Sequence, residues 1–173
     1  GLPLALCLAL GAQTGPVELS SPDQKLEISF ETVAGRRPSP SGGQLVYSVT
    51  YAGKPVIAPS RLGLALQGQP ALGDHVRIVP SARDARDGPY DVIHGKSNPV
   101  RDHYNAVRIE LSETGPRARR LAVEARAYDD GVAFRYVAPD QGEVKEFRLT
   151  DELTEFRIAK DSPAYPLFLN GYH

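Results

Sequence analysis

The feature that most constrains this chain is an apolar period of two that recurs along most of its length. Leu26, Ile28 and Phe30 alternate with polar partners, as do Leu45, Tyr47, Val49 and Tyr51. The pattern returns at Leu62, Leu64 and Leu66, at Val76 and Ile78, and at Val107, Ile109 and Leu111. It continues through Leu121, Val123 and Ala125, then Val132, Phe134 and Tyr136. Successive side chains of a strand point to opposite faces, so each set lays one face on a core. No stretch reads as a persuasive amphipathic helix, and Asp151 to Lys160 fits helix or strand alike. The expected class is all-β.

Turn signals separate the sets: Ser21-Pro22-Asp23, Ser41-Gly42-Gly43, Ala52-Gly53-Lys54-Pro55, Thr114-Gly115-Pro116 and Asp129-Asp130-Gly131. Many short strands with frequent turns predict a sandwich or barrel. Asp130-Gly131 is the sharpest signal; it predicts a tight hairpin in which glycine takes a positive φ. Gly35 to Gly43 reads as a polar insertion between strands. Residues 81–99 hold few alternating apolar positions and much Asp, Arg and Gly, so they read as one long loop.

Composition narrows the function classes. The chain has 173 residues, 41% of them apolar, enough for one domain with a real core. Lysine plus arginine number 20 against 21 aspartates and glutamates, so the net charge of −1 gives no whole-molecule reason to seek nucleic acid or anionic lipid. A single cysteine, Cys7, allows no intrachain disulfide. Leu2 to Leu10 is an apolar run closed by small residues, the pattern of a secretory h-region. Residues 1–12 are therefore expected to be a signal-peptide remnant, and the protein to be exported, in the periplasm. The run is too short for a membrane span, which needs roughly 20 apolar residues. Methionine is absent throughout, so a processed chain or a fragment is expected, and the apolar, aromatic stretch from Tyr165 to His173 suggests a domain truncated at its C-terminus.

The search for chemistry is mostly negative. His75, His94, His103 and His173 have no helical metal-pair spacing, and no thiolate cluster can form. No nucleophile elbow, P-loop or dinucleotide glycine pattern occurs. The acid pairs Asp129-Asp130 and Asp151-Glu152 are sequence neighbours, and neighbours on a strand face opposite ways. The densest polar stretch is Arg101-Asp102-His103-Tyr104-Asn105, after His94-Gly95-Lys96. Its planar and bidentate groups suit sugar hydroxyls. A strand entry with its own Asp–Arg pair and a capping Asn is the alternative, and the residues leave both open.

Several of these segments, taken in order, resemble the amino-terminal domain of glycoside hydrolase family 97. They are Val17 to Leu26, Leu45 to Val56, Pro59 to Leu64, His94-Gly95 leading to Val100-Arg101-Asp102-His103-Tyr104-Asn105, Arg126 to Tyr136, and Glu152 to Phe156. The resemblance implies a galactose-mutarotase-like β-sandwich over residues 17–173, incomplete and non-catalytic. It further implies that the partner is the protein's own C-terminal (β/α)8 barrel, which carries the catalytic carboxylates and a calcium ion and cuts α-glycosidic bonds in an oligosaccharide substrate, as an α-glucosidase or α-galactosidase does. No catalytic residue and no metal ligand is carried over to this chain. His94, Arg101, Asp102, His103, Tyr104 and Asn105 are the expected substrate or interface residues. A stand-alone carbohydrate-binding sandwich is the competing expectation, weakened by the absence of tryptophan.

Overall fold

The computed structural model describes residues 15–34, 42–79, 82–90, 100–116, 118–141 and 148–160. The alternating sets become antiparallel strands. In the first sheet, β1 (Val17–Ser20), β2 (Leu26–Val33), β3 (Gln44–Tyr51), β4 (Lys54–Arg61) and β13 (Arg157–Ile158) lie side by side in that order. A three-stranded sheet joins β5 (Leu64–Leu66) to β6 (Gln69–Leu72) and to β12 (Leu149–Glu152). The second large sheet runs β11 (Val132–Val137), β10 (Arg120–Ala127), β9 (Val100–Glu113) and β7 (Val76–Ile78), with β8 (Ala82–Tyr90) also paired to β9.

Between the large sheets lies one core. Ile28 and Phe30 from β2, Leu45 and Tyr47 from β3, Val107, Ile109 and Leu111 from β9, and Leu121 and Val123 from β10 are all buried. Each such side chain contributes about 1.5–3 kcal/mol when taken from water. Phe134 of β11 bridges the layers, edge-on to Phe30 at 6.5 Å and tilted against Tyr47 at 5.3 Å between ring centroids. The phenols of buried Tyr47 and partly buried Tyr136 find partners. Tyr47 Oη donates to the carbonyl of Glu155 at 2.8 Å. Tyr136 Oη accepts from the N–H of Gly63 at 3.1 Å and shares a 2.9 Å bond with Thr154 Oγ1. Burial pushes both hydroxyls above the ordinary tyrosine range, since the phenolate is the form that loses hydration.

Two local expectations are corrected. The hairpin between β10 and β11 forms around Asp129 and Asp130, with the N–H of Tyr128 donating to the carbonyl of Gly131 at 2.8 Å. Gly131 is not among the residues at positive φ. The turn that uses left-handed backbone at both central positions joins β3 to β4: Ala52 has φ 48° and Gly53 φ 74°, flanked by the pair Tyr51 and Lys54. That conformation matches the strand twist, and glycine supplies half of it without a Cβ penalty.

The second correction concerns residues 81–99. Ala82 to Tyr90 is not loop but strand β8, in unbroken register with β9 from Ala82 opposite Arg108 to Tyr90 opposite Val100. It carries no apolar alternation because Ala82 to Asp87 are exposed and cover no core. The backbone ladder with β9 holds it instead. Residues 91–99, including His94, lie outside the described residues. The ambiguous stretch from Asp151 to Lys160 is not a helix: it contains the end of β12 and all of β13, with irregular chain between them.

Candidate functional site

Strand β9 positions the polar stretch. From Asn105 to Ser112 it is sandwiched between neighbours, with β10 along one side. From Val100 to Tyr104 its only strand partner among the described residues is β8, opposite Arg86 to Tyr90. The polar residues thus stand on a two-stranded ribbon that extends the sheet past the core. An isolated two-stranded ribbon is marginal in water, but this one continues the β8–β9 ladder from the core part of the sheet.

Strand alternation divides the candidates. Arg101, His103 and Asn105 share the face of Val107 and Ile109, while Asp102 and Tyr104 share the face of Ala106 and Arg108. Arg101 forks onto Asp87 across the ribbon, Nε to Oδ1 at 2.7 Å and Nη2 to Oδ2 at 2.8 Å. That guanidinium holds the Asp87 carboxyl below its ordinary range. Asp102 pairs with Arg86 at 3.3 Å. Arg–Asp pairs therefore exist, but each joins β9 to β8 instead of linking Arg101 to Asp102.

At the base of the ribbon, polar groups tie the two large sheets together. Asn105 Nδ2 donates to the carbonyl of Ser20 at the end of β1, at 2.8 Å. Asp129 Oδ1 accepts the N–H of Asp23 at 2.9 Å, and its Oδ2 lies 3.9 Å from His103 Nδ1. Asp23 anchors the β1–β2 turn. Its Oδ1 accepts the Ser21 hydroxyl at 2.7 Å and the Lys25 N–H at 3.1 Å, with Lys25 Nζ 3.1 Å from Oδ2. These bonds favour the carboxylate, led by that from Ser21, and hold the Asp23 pKa at about 2. Sequence reasoning missed Asp23 and Asp129 as a pair. Ser21-Pro22-Asp23 signals a turn, but nothing local says that two turns 106 residues apart will meet.

The opposite face carries a groove of about 450 Å³. Ala106 and Ala133 line it, and Tyr104, Tyr128, Arg126 and Glu124 rise around them. Tyr104 packs on Tyr128 with ring centroids 5.2 Å apart, and the Arg126 guanidinium lies 4.5 Å from the Tyr104 centroid. Glu124 is clamped by Arg135 Nε at 2.8 Å and by Arg108 Nη1 at 2.5 Å, and these two arginines keep its carboxyl below the ordinary range. The arrangement offers aromatic surface and fixed polar groups in one concavity. Among the described residues no three His, Cys, Asp or Glu side chains come together to hold a metal ion. No helix of the described residues is long and apolar enough to cross a membrane.

Relatives share this fold. The family profile described as Glycosyl-hydrolase 97 N-terminal matches residues 19–172. A retaining alpha-galactosidase of Bacteroides thetaiotaomicron is 28% identical over 160 residues, 92% of this chain and 21% of that protein. A probable retaining alpha-galactosidase of Streptomyces bingchenggensis is 29% identical over 151 residues, 82% of this chain and 21% of that protein. The chain thus spans about a fifth of the length of the curated relatives it matches. Among solved structures, a glycoside hydrolase family 97 enzyme variant from a Pseudoalteromonas species, in complex with panose, superposes with a TM-score of 0.73 at 25% identity. That match covers 83% of this chain and 20% of the other. A beta-arabinopyranosidase gives 0.70 at 26% identity, over 82% of this chain and 21% of the other. With an all-β sandwich and a profile match over nearly its whole length, this chain belongs to the glycoside hydrolase family 97 amino-terminal domains.

Proposed function

We propose that this chain is the non-catalytic amino-terminal domain of an exported, periplasmic hydrolase of α-glycosidic bonds, and that it supports and walls the active site of a following (β/α)8 barrel. The observation that carries the reading is that a family profile spans residues 19–172 while the chain matches only a fifth of much longer glycosidases. Catalysis by two carboxylates flanking the scissile bond falls to the remainder of the polypeptide, with calcium bound there. One curated relative is named a retaining alpha-galactosidase and the other a probable one, so retention is the stereochemistry to test first.

The β8–β9 ribbon is the element proposed to reach that site. It projects Arg101 and His103 past the core, on a strand whose base is pinned by Asn105 and the Asp23–Asp129 contact. Alanine at Arg101 or His103 in the full-length enzyme is expected to lower kcat/KM about tenfold, a loss of transition-state binding and not of folding. Unchanged kinetics would remove the ribbon from the site. The 173-residue chain alone is expected to leave nitrophenyl α-galactosides and α-glucosides intact, and turnover by it would defeat the domain reading.

A second reading, a carbohydrate-binding sandwich in its own right, is favoured by the Tyr104–Tyr128–Arg126 groove. Titration calorimetry with oligosaccharides separates the two, because millimolar or tighter binding that Tyr128→Ala abolishes supports a binding module.

A further inference from the structure

We propose that the groove on the outer face of the second sheet binds an acidic saccharide, a pyranose carrying a carboxylate, and that Arg126 recognises the charge. The inference deepens the carbohydrate-binding reading of that groove and rests on it.

Strand register builds the groove from three rows that cross the sheet. Its floor runs from Asp84 on β8 to Ala106 on β9, Arg126 on β10 and Ala133 on β11, each opposite the next. Along one side stand Arg108, Glu124 and Arg135, again each opposite the next. Along the other stand Arg86, Tyr104 and, in the turn after β10, Tyr128. Neighbours in such a row are about 5 Å apart, close enough to form a continuous surface. The two alanines keep the floor low between taller walls. The resulting 450 Å³ concavity falls within the roughly 300–1,000 Å³ range of ligand clefts.

Charge singles out one residue. Arg86 pairs with Asp102 at 3.3 Å, and Arg108 and Arg135 share the carboxylate of Glu124. Arg126 has no carboxylate partner among the described residues. Its guanidinium lies over the buried Tyr104 ring at 4.5 Å, and Nη1 is 3.5 Å from the Tyr128 hydroxyl. The stack holds the guanidinium in place while its edge keeps N–H donors for a ligand. A carboxylate fits that edge through two parallel N–H···O bonds. Asp84, at the far end of the floor, repels an anion, so the ligand's carboxylate belongs over Ala133.

The rest of the groove suits a sugar ring. Tyr128 is only partly buried, and its ring offers an apolar surface to pyranose C–H groups. The Glu124 carboxylate, fixed by Arg135 and Arg108, stands ready to accept from sugar hydroxyls.

Ligand-observed NMR titration of the full-length polypeptide tests this. The probes are α-1,4-linked trigalacturonate and its methyl ester, which keeps the skeleton and removes the charge. The acid is expected to bind with a Kd of about 1 mM or tighter, and the ester about tenfold more weakly, the effect of one charge-assisted pair. Arg126→Gln should bring the acid down to the ester's affinity while ester binding stays unchanged, which also shows that the variant is folded. Tyr128→Ala should weaken both ligands. Equal affinity for acid and ester, or an Arg126→Gln variant that still prefers the acid, would overturn the proposal and leave a neutral-sugar groove standing. Binding of neither ligand would overturn both. A full-length protein that binds trigalacturonate through Arg126 but cleaves no α-glycoside would sink the enzymatic reading and leave this site in place.

Discussion

Two ends of one strand show how differently the same chemistry is used in this molecule. At one end of β9, Glu113 meets Arg119 out of water, with side chains 11% and 3% exposed. Arg119 forks onto both Glu113 oxygens and also reaches the Pro70 carbonyl and Gln69. At the other end, Arg101 forks onto Asp87 with side chains 65% and 56% exposed. The geometry is alike and the environment is not. A buried pair has lost its water, so removing one partner strands a charge. An exposed pair is rehydrated when broken and contributes little. The buried end of β9 is built for stability, and the ribbon end keeps charged groups available at modest structural cost.

The largest expected effect lies at the buried end. Arg119→Ala should destabilise the domain by about 3–5 kcal/mol in chemical denaturation. A loss as small as that at the ribbon would erase the distinction between the ends. Next, in the middle of β9, Ile109→Ala should cost about 2–5 kcal/mol, because Ile109 is fully buried and leaves a cavity. At the junction with the ribbon, Asn105→Ala should cost about 1–3 kcal/mol by orphaning the Ser20 carbonyl, visible as faster amide exchange in β1.

A pH experiment sharpens the account of the same junction. Asp23 has a folded pKa of about 2 against an ordinary 3.8, so its contribution is complete above pH 3.8 and is lost as pH falls toward 2. The stability difference between the parent and Asp23→Asn should therefore be constant near neutrality and shrink over that window. A difference unchanged at pH 2 would mean that hydrogen-bond geometry and not charge carries the effect. The smallest stability effect belongs to Arg101→Ala, which should leave the denaturation midpoint unmoved even where kcat/KM drops.

The core was legible in the sequence, and the ribbon was not. Ile28, Phe30, Leu45, Tyr47, Val107, Ile109 and Leu111 announce their burial by alternation, because a half-buried strand must repeat every second residue. β8 lacks that mark. Ala82 to Asp87 are exposed, so Ala82 to Tyr90 reads as loop although its backbone forms a full ladder. The Ala52-Gly53 turn was visible as a turn, but not as the one with left-handed backbone, since Asp130-Gly131 carries the stronger local signal. The polar run Arg101 to Asn105 was found as a cluster, and only alternation on a real strand divided it between two faces.

The sequence by itself determined that this protein is all-β, built of many short strands in a sandwich or barrel, because period and turn chemistry are local and each strand carries its own. Only the tertiary structure decided that Asp23 and Asp129 meet and that Arg101 answers Asp87 and not its neighbour Asp102. Those outcomes depend on register between segments far apart in the chain. Register is set by how the whole core closes, which no short window of residues records.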